Sequence, residues 1–338
     1  MKNNTNIFRP LAVFFILIAT AAVALGTGKY DVSPVEVFRA FWAGIFSLDE
    51  PCGIPSIHLT VIWMLRLPRI LMALIVGAAL SAAGAVFQGC FRNPLVEPYI
   101  LGVSAGAAFG AALGMLFPYF FSVQLFSFVF GIVAVAFTYG FGRIRGETPM
   151  ITLILAGVIT GSLFSAMVSI LKYMAQDAAL RGIVFWLMGG FYFATWTDIG
   201  WLLPVIGGCL LIMGKLGWQL NILSLGDAEA RSLGVNPEAC RIVLIILATL
   251  AAAAAVSAVG IIAWVGLMMP HAARMLVGPD HRRVLPTAAA MGGIFLIICD
   301  TLARTLITAE IPIGIITSIA GAPYLFYLLR TKTQTSLV

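Results

Sequence analysis

The sequence predicts an all-α fold, a polytopic membrane bundle with about ten transmembrane helices, and three observations lead there. First, of 338 residues 61% are apolar and only 10% charged, against roughly a quarter charged in soluble domains. Second, the apolar residues fall in long runs between short charged or Pro/Gly breaks. A bilayer crossing needs about 20 such residues, because the hydrocarbon core is roughly 30 Å thick and a helix rises about 1.5 Å per residue. Third, the Lys and Arg behind the +6 charge are scattered between those runs, so they read as topology signals and argue against a nucleic-acid partner.

In chain order the runs place spans at 8–28, 57–90, 94–110, 113–141 and 149–172, then at 197–214, 238–257, 260–276, 284–308 and 313–330. Lys2 and Arg9 ahead of the run Leu11 to Leu25, with Ala22-Val23-Ala24 inside it, imitate a secretory signal. The spans that follow favour an uncleaved first helix. The shorter stretch 180–193 reads either as a re-entrant segment or as a crossing. Ten crossings put both termini on one side, and with that side cytoplasmic most Lys and Arg fall in cytoplasmic loops. The chain therefore reads as one transmembrane domain, 1–338, in the cytoplasmic (inner) membrane bilayer.

Gly102, Gly106 and Gly110, continued by Gly114, recur every four residues and would line one helix face. Small residues let helix backbones approach closely in lipid, so the strip is assigned to packing within the subunit. The five cysteines, Cys52, Cys90, Cys209, Cys240 and Cys299, show no metal-ligand spacing and read as small hydrophobes.

No phosphate-binding G-x-x-x-x-G-K-[ST] motif, no G-x-S-x-G and no H-E-x-x-H occurs, so the chain is read as a non-enzyme without a cofactor of its own. The long polar interruption from Lys215 to Arg241 contains Leu225-Gly226-Asp227-Ala228-Glu229-Ala230-Arg231-Ser232-Leu233-Gly234-Val235. Acidic residues early and glycine late predict a short helix within about 221–236. On spacing alone it is equally a lone amphipathic surface helix.

Four segments in order resemble one family. They are Arg66-Leu67-Pro68-Arg69 through Gly77-Ala78-Ala79-Leu80, Phe87-Gln88-Gly89 and Arg92-Asn93-Pro94-Leu95-Val96-Glu97-Pro98 to Gly106; the Leu225 to Val235 segment; Val265-Gly266-Leu267-Met268-Met269-Pro270-His271 with Arg274; and Asp300-Thr301-Leu302-Ala303-Arg304 through Glu310-Ile311-Pro312-Ile313-Gly314 to Gly321-Ala322-Pro323. Together they resemble the permease subunit of the ATP-binding cassette importers for iron-siderophore, haem and vitamin B12, the FecCD/BtuC-like type II importers. Ala263 and Trp264 stand where that family often has glycine and phenylalanine.

The resemblance implies a homodimer of this permease, two separate ATPase subunits and an extracytoplasmic substrate-binding protein, with the path between the two copies. It makes Gly226, Asp227, Glu229, Ala230, Ser232, Leu233 and Gly234 the coupling helix that seats in the ATPase. It places Arg66, Arg69 and Arg304 at the binding-protein dock. The competing account is that these arginines snorkel or neutralise Asp300 and Glu310. It puts a cytoplasmic gate at Asn93, Leu95, Met150 and Ile151, where capping is the plain alternative for Asn93, and a pathway wall at Thr160 and Ser165. His271 is read as a capping or packing residue. Ferric siderophore is the first expected cargo, ahead of cobalamin and haem. The rival class is an ion-coupled secondary transporter working through Asp177, Asp198, Asp300 or Glu310.

Overall fold

A computed structural model describes residues 5–30, 32–46, 55–143 and 149–335. Among them there is no strand. The helices are α1 (Thr5–Gly26), α2 (Pro34–Ile45), α3 (Ser56–Thr60), α4 (Leu67–Phe91), α5 (Val103–Leu116), α6 (Val123–Gly142), α7 (Met150–Met174) and α8 (Asp177–Met188). They continue as α9 (Trp196–Lys215), α10 (Gly217–Leu225), α11 (Asp227–Ser232), α12 (Pro237–Val259), α13 (Val265–Val277), α14 (His281–Thr305) and α15 (Ile313–Thr335). A π-helical turn, Val61–Arg66, joins α3 to α4, and a 3-10 turn, Pro98–Leu101, leads into α5.

Seven helical stretches are long and apolar enough to cross a membrane, and three shorter apolar helices, Val103–Leu116, Val265–Val277 and Ile313–Phe326, complete the expected set. The third and fourth spans begin later than the apolar runs suggested. Pro94 and Pro98 hold the chain in turns until Gly102, and the break between α5 and α6 is itself aromatic (Phe117, Tyr119, Phe120, Phe121), so hydropathy alone hides it. The 180–193 stretch forms α8, which at 12 residues is about 18 Å long and too short to cross. Sequence reading missed α2 altogether. Its signal was present, because Ser33 and Glu36 form a capping box around Pro34, the pattern that starts a helix.

The bundle is organised around α4, buried along nearly its whole length. Its glycines explain how: a Cβ on Gly77 would lie 2.2 Å from the Gly292 carbonyl oxygen, and one on Gly84 would lie 1.8 Å from that of Gly266. α4 thus meets α14 and α13 backbone to backbone, the closest packing that lipid-embedded helices achieve. Gly84→Val should therefore give aggregated protein on size-exclusion chromatography in detergent, while the same change at Gly200, where a Cβ meets nothing within 4 Å, should leave a monodisperse peak. The strip Gly106, Gly110 and Gly114 presses on α6 at Phe130, Phe126 and Val123. Cys90, Cys209, Cys240 and Cys299 are free thiols, and Cys52 lies outside the described residues.

Non-helical backbone inside the bundle is satisfied by interlocking. The Gly190 N–H donates to the Val259 carbonyl (2.8 Å) and the Ile313 N–H to that of Gly189 (3.0 Å), while the Tyr99 hydroxyl donates to the Ile262 carbonyl (2.8 Å). Irregular backbone survives at membrane depth only when buried in protein like this. Trp264 takes a φ of +75° at the start of α13, and a Cβ on Gly321 would come within 2.5 Å of its ring. A glycine on α15 thus makes room for the Trp264 ring.

Candidate functional site

The polar chemistry concentrates at the two ends of the bundle. At one end stands α11, six residues long. It begins after Gly226, whose φ of +141° and ψ of 162° only glycine adopts readily. It ends in a Schellman cap: the Gly234 N–H donates to the Arg231 carbonyl and the Val235 N–H to that of Ala230, both at 3.0 Å, with Gly234 at φ +77°. The predicted helix and its predicted end are both present. Ala230 is fully buried against the body, while Glu229, Ser232, Leu233 and Gly234 are exposed. The Ser232 hydroxyl bonds the Glu229 carbonyl (2.8 Å).

Two polar ties fasten this unit. Asp227 pairs with Arg241 of α12 at 2.7 Å. On the other side, Asn221 of α10 donates to Asp280 Oδ1 (2.7 Å) and accepts from the His281 N–H (2.8 Å). Asp280 is also the N-cap of α14. Hydrogen bonds from Arg282, with help from Asn221, hold its carboxyl well below the usual carboxylate range. Sequence reading did not find Asn221 or Asp280, because Asn-221 and Asp-280 chemistry is recognisable only once α10 and α14 are side by side.

The turn Arg92–Leu95 shares this end. Arg92 takes the left-handed conformation (φ 49°), and Asn93 Oδ1 accepts from the Leu95 N–H at 3.0 Å. Leu95 and Ile151 are exposed and Met150 half-buried. His271 meets Tyr324 edge to face, ring centroids 6.5 Å apart.

At the opposite end the three arginines line one cavity, and Arg69 and Arg304 join an internal ion-pair cluster. Arg69 donates to Asp300 Oδ1 (2.6 Å) and Glu310 Oε2 (2.9 Å), and Arg304 Nε stands 3.6 Å from Asp300 Oδ2. Arg304 also donates to the Ala24 carbonyl, and Arg66 to those of Leu25 (2.7 Å) and Tyr30, fixing the end of α1. Arg66 and Arg304 are buried at 4% and 7% exposure. Asp300 is neutralised here, and Asp198 closes the capping box of α9 with Thr195. A cavity of about 290 Å³ opens among Lys29, Tyr30, Arg66, Arg69, Tyr192 and Glu310.

α7 divides its two expected wall residues. Thr160 is buried, facing Gly102, whereas Ser165 lies on the exposed face with Ser162 and Ser169.

The chain is similar to known proteins over nearly its full length. It is 41% identical to the molybdate import system permease of Haemophilus influenzae, covering 94% of both chains. It is 36% identical to the hemin transport system permease of Yersinia pestis, covering 96% of this chain and 97% of that one. A solved ABC transporter described as of metal-chelate type, in an inward-facing conformation, superposes with a TM-score of 0.84 at 38% identity, covering 96% and 98% of the two chains. The family model of the FecCD transport family matches residues 16–331. A multi-pass bundle whose expected coupling segment forms a capped helix at one end, matched over this length, identifies the chain as a permease of the FecCD transport family.

Proposed function

We propose that the chain is the membrane-spanning subunit of an ATP-driven importer that carries a metal-centred solute across the cytoplasmic membrane, with a ferric siderophore as the first cargo. The observation that carries this reading is α11, a capped helix with one face anchored and the other exposed. Glu229, Ser232, Leu233 and Gly234 form the surface that a separate ATPase subunit would grip, while Gly226, Asp227 and Ala230 hold the coupling helix to the body. Asp227–Arg241 and Asn221–Asp280 would pass its movement to α12 and α14. That end is the cytoplasmic one, as are both termini.

α14 runs from Asp280 at that end to Asp300 and Arg304 at the other, so the same helix would reach the dock for the extracytoplasmic binding protein. Arg66, Arg69 and Arg304 lie too deep to be a bare row of surface cations. They shape the cavity beside Lys29, into which an acidic side chain of the binding protein would fit. The translocation path is assigned to the exposed face of α7 carrying Ser165, closed by a second copy of the chain. Thr160 would set the spacing of α7 from α5. The turn at Asn93 and Leu95 and the start of α7 at Met150 and Ile151 would form the gate.

Relatives named for molybdate, hemin and cobalamin transport define the cargoes to compare. Uptake into proteoliposomes holding the chain with its cognate ATPase and binding protein should require ATP and favour one of ferric siderophore, molybdate, hemin or cobalamin. Accumulation driven by an ion gradient without ATP would overturn the reading in favour of a secondary transporter.

A further inference from the structure

The transport reading leaves α2 unused. It has two apolar sides: Val37, Ala40 and Ala43 are buried against the body, while Val35, Phe38, Trp42, Ile45 and Phe46 are exposed. At about 100° per residue the exposed set falls within an arc of roughly 100°, the width of one apolar stripe. Phe38 and Trp42 meet edge to face, and Trp42 and Phe46 stack with centroids 5.6 Å apart. Of the charges of α2, Arg39 sits at the boundary between the two faces, whereas Glu36 lies on the inner side, where it is engaged by Ser33 and by His58 at 3.7 Å.

We propose that α2 is a membrane anchor lying in the plane of the lipid interface at the Arg66 end of the bundle, its Val35–Phe38–Trp42–Ile45 face in the bilayer. Two observations choose lipid as the occupant. The face is continuous with a surface that lipid must cover: Met64 and Leu65 beside it and Phe14, Phe15, Ile16, Ile18 and Val23 along α1 are all exposed. The height is also right. α2 starts within eight residues of Gly26, the end of the first span, and its backbone is pinned to the second. Trp63 donates to the Ala40 carbonyl (2.9 Å), stacks on Phe41 (5.9 Å) and on Trp196 (6.2 Å), and accepts through its carbonyl from the Trp196 indole (2.8 Å). A helix held at the mouth of two spans with Trp and Phe outward matches the aromatic belt at the membrane–water boundary.

The anchor has a purpose that a free loop would lack. Trp63 belongs to the π-helical turn that delivers Arg66, so α2 ties the level of that turn to the bilayer surface.

The test places single nitroxide labels at Phe38→Cys, Trp42→Cys and, as a water-exposed control, Ala228→Cys, in a chain whose native cysteines are changed to alanine, reconstituted in phosphatidylcholine vesicles. Power saturation by oxygen, which concentrates in lipid, is compared with saturation by a water-soluble nickel chelate. The oxygen-to-nickel ratio should be at least several-fold higher at 38 and 42 than at 228. Equal ratios would show the face to be in water and overturn the proposal. Low access to both reagents would mean that protein, a second copy, covers it, and would overturn it too. A high nickel access lost on adding the binding protein would make the face a docking surface instead.

Discussion

Replacing Arg69 with alanine should lower the thermal unfolding midpoint of the detergent-solubilised protein sharply, at a cost of about 3–5 kcal/mol. Asp300 is 1% exposed, and its close partner is Arg69 at 2.6 Å, with Arg304 a full ångström farther. Deleting the guanidinium leaves a carboxylate in the bundle with one distant cation. The magnitude comes from that stranded charge and not from the bridge itself, since paired buried ions are offset by the desolvation each suffers. Adding Asp300→Asn to Arg69→Ala should therefore recover most of the loss. A double-mutant cycle on the unfolding midpoint reads this directly. If Arg69→Ala unfolds with the parent, the cluster contributes nothing to stability and the assignment fails.

Gly226→Val should cut ATP-dependent uptake by tenfold or more while leaving the bundle folded. The backbone there (φ +141°, ψ 162°) is closed to a β-branched residue, and an added Cβ would also meet Glu229 Oε2 at 2.2 Å. α11 is a single short helix set by the Gly226 backbone at its start and the Schellman cap at its end, so strain at the first displaces the whole contact surface, whereas α10 and α12 on either side keep their own hydrogen bonds. Basal ATPase activity of the assembled complex and its stimulation by binding protein separate the outcomes. Uptake lost with the permease still monodisperse is the expected pattern, and undiminished uptake would remove α11 from the coupling role.

Much of this was readable from residue order. The spans followed from apolar runs, and α11 from Asp227, Glu229 and Gly234, because local signals dictate local structure. The glycine strip was likewise assigned correctly to packing, since four-residue spacing leaves few other uses for it. The depth of Arg66 and Arg304 was not readable. A span-end arginine looks alike in sequence whether it faces water or, as here, donates to the carbonyls of Ala24 and Leu25 on a helix some forty positions or several helices away. That Thr160 and Ser165 lie on different sides of α7 was not readable either, because hydroxyls and apolar residues alternate around that helix and hydropathy offers no phase by which to tell its Gly102-facing side from the side of Ser165.

The interlocked backbone around Gly189 carries a consequence for biosynthesis. The carbonyl of Gly189 waits for the amide of Ile313, and the amide of Gly190 for the carbonyl of Val259. In a nascent chain emerging from its amino terminus, the Gly190 amide therefore waits for the end of α12 and the Gly189 carbonyl for the start of α15. Maturation of this protein should be a late, concerted event, and a truncation before residue 313 should be recognised by quality-control proteases even though every earlier span has been inserted.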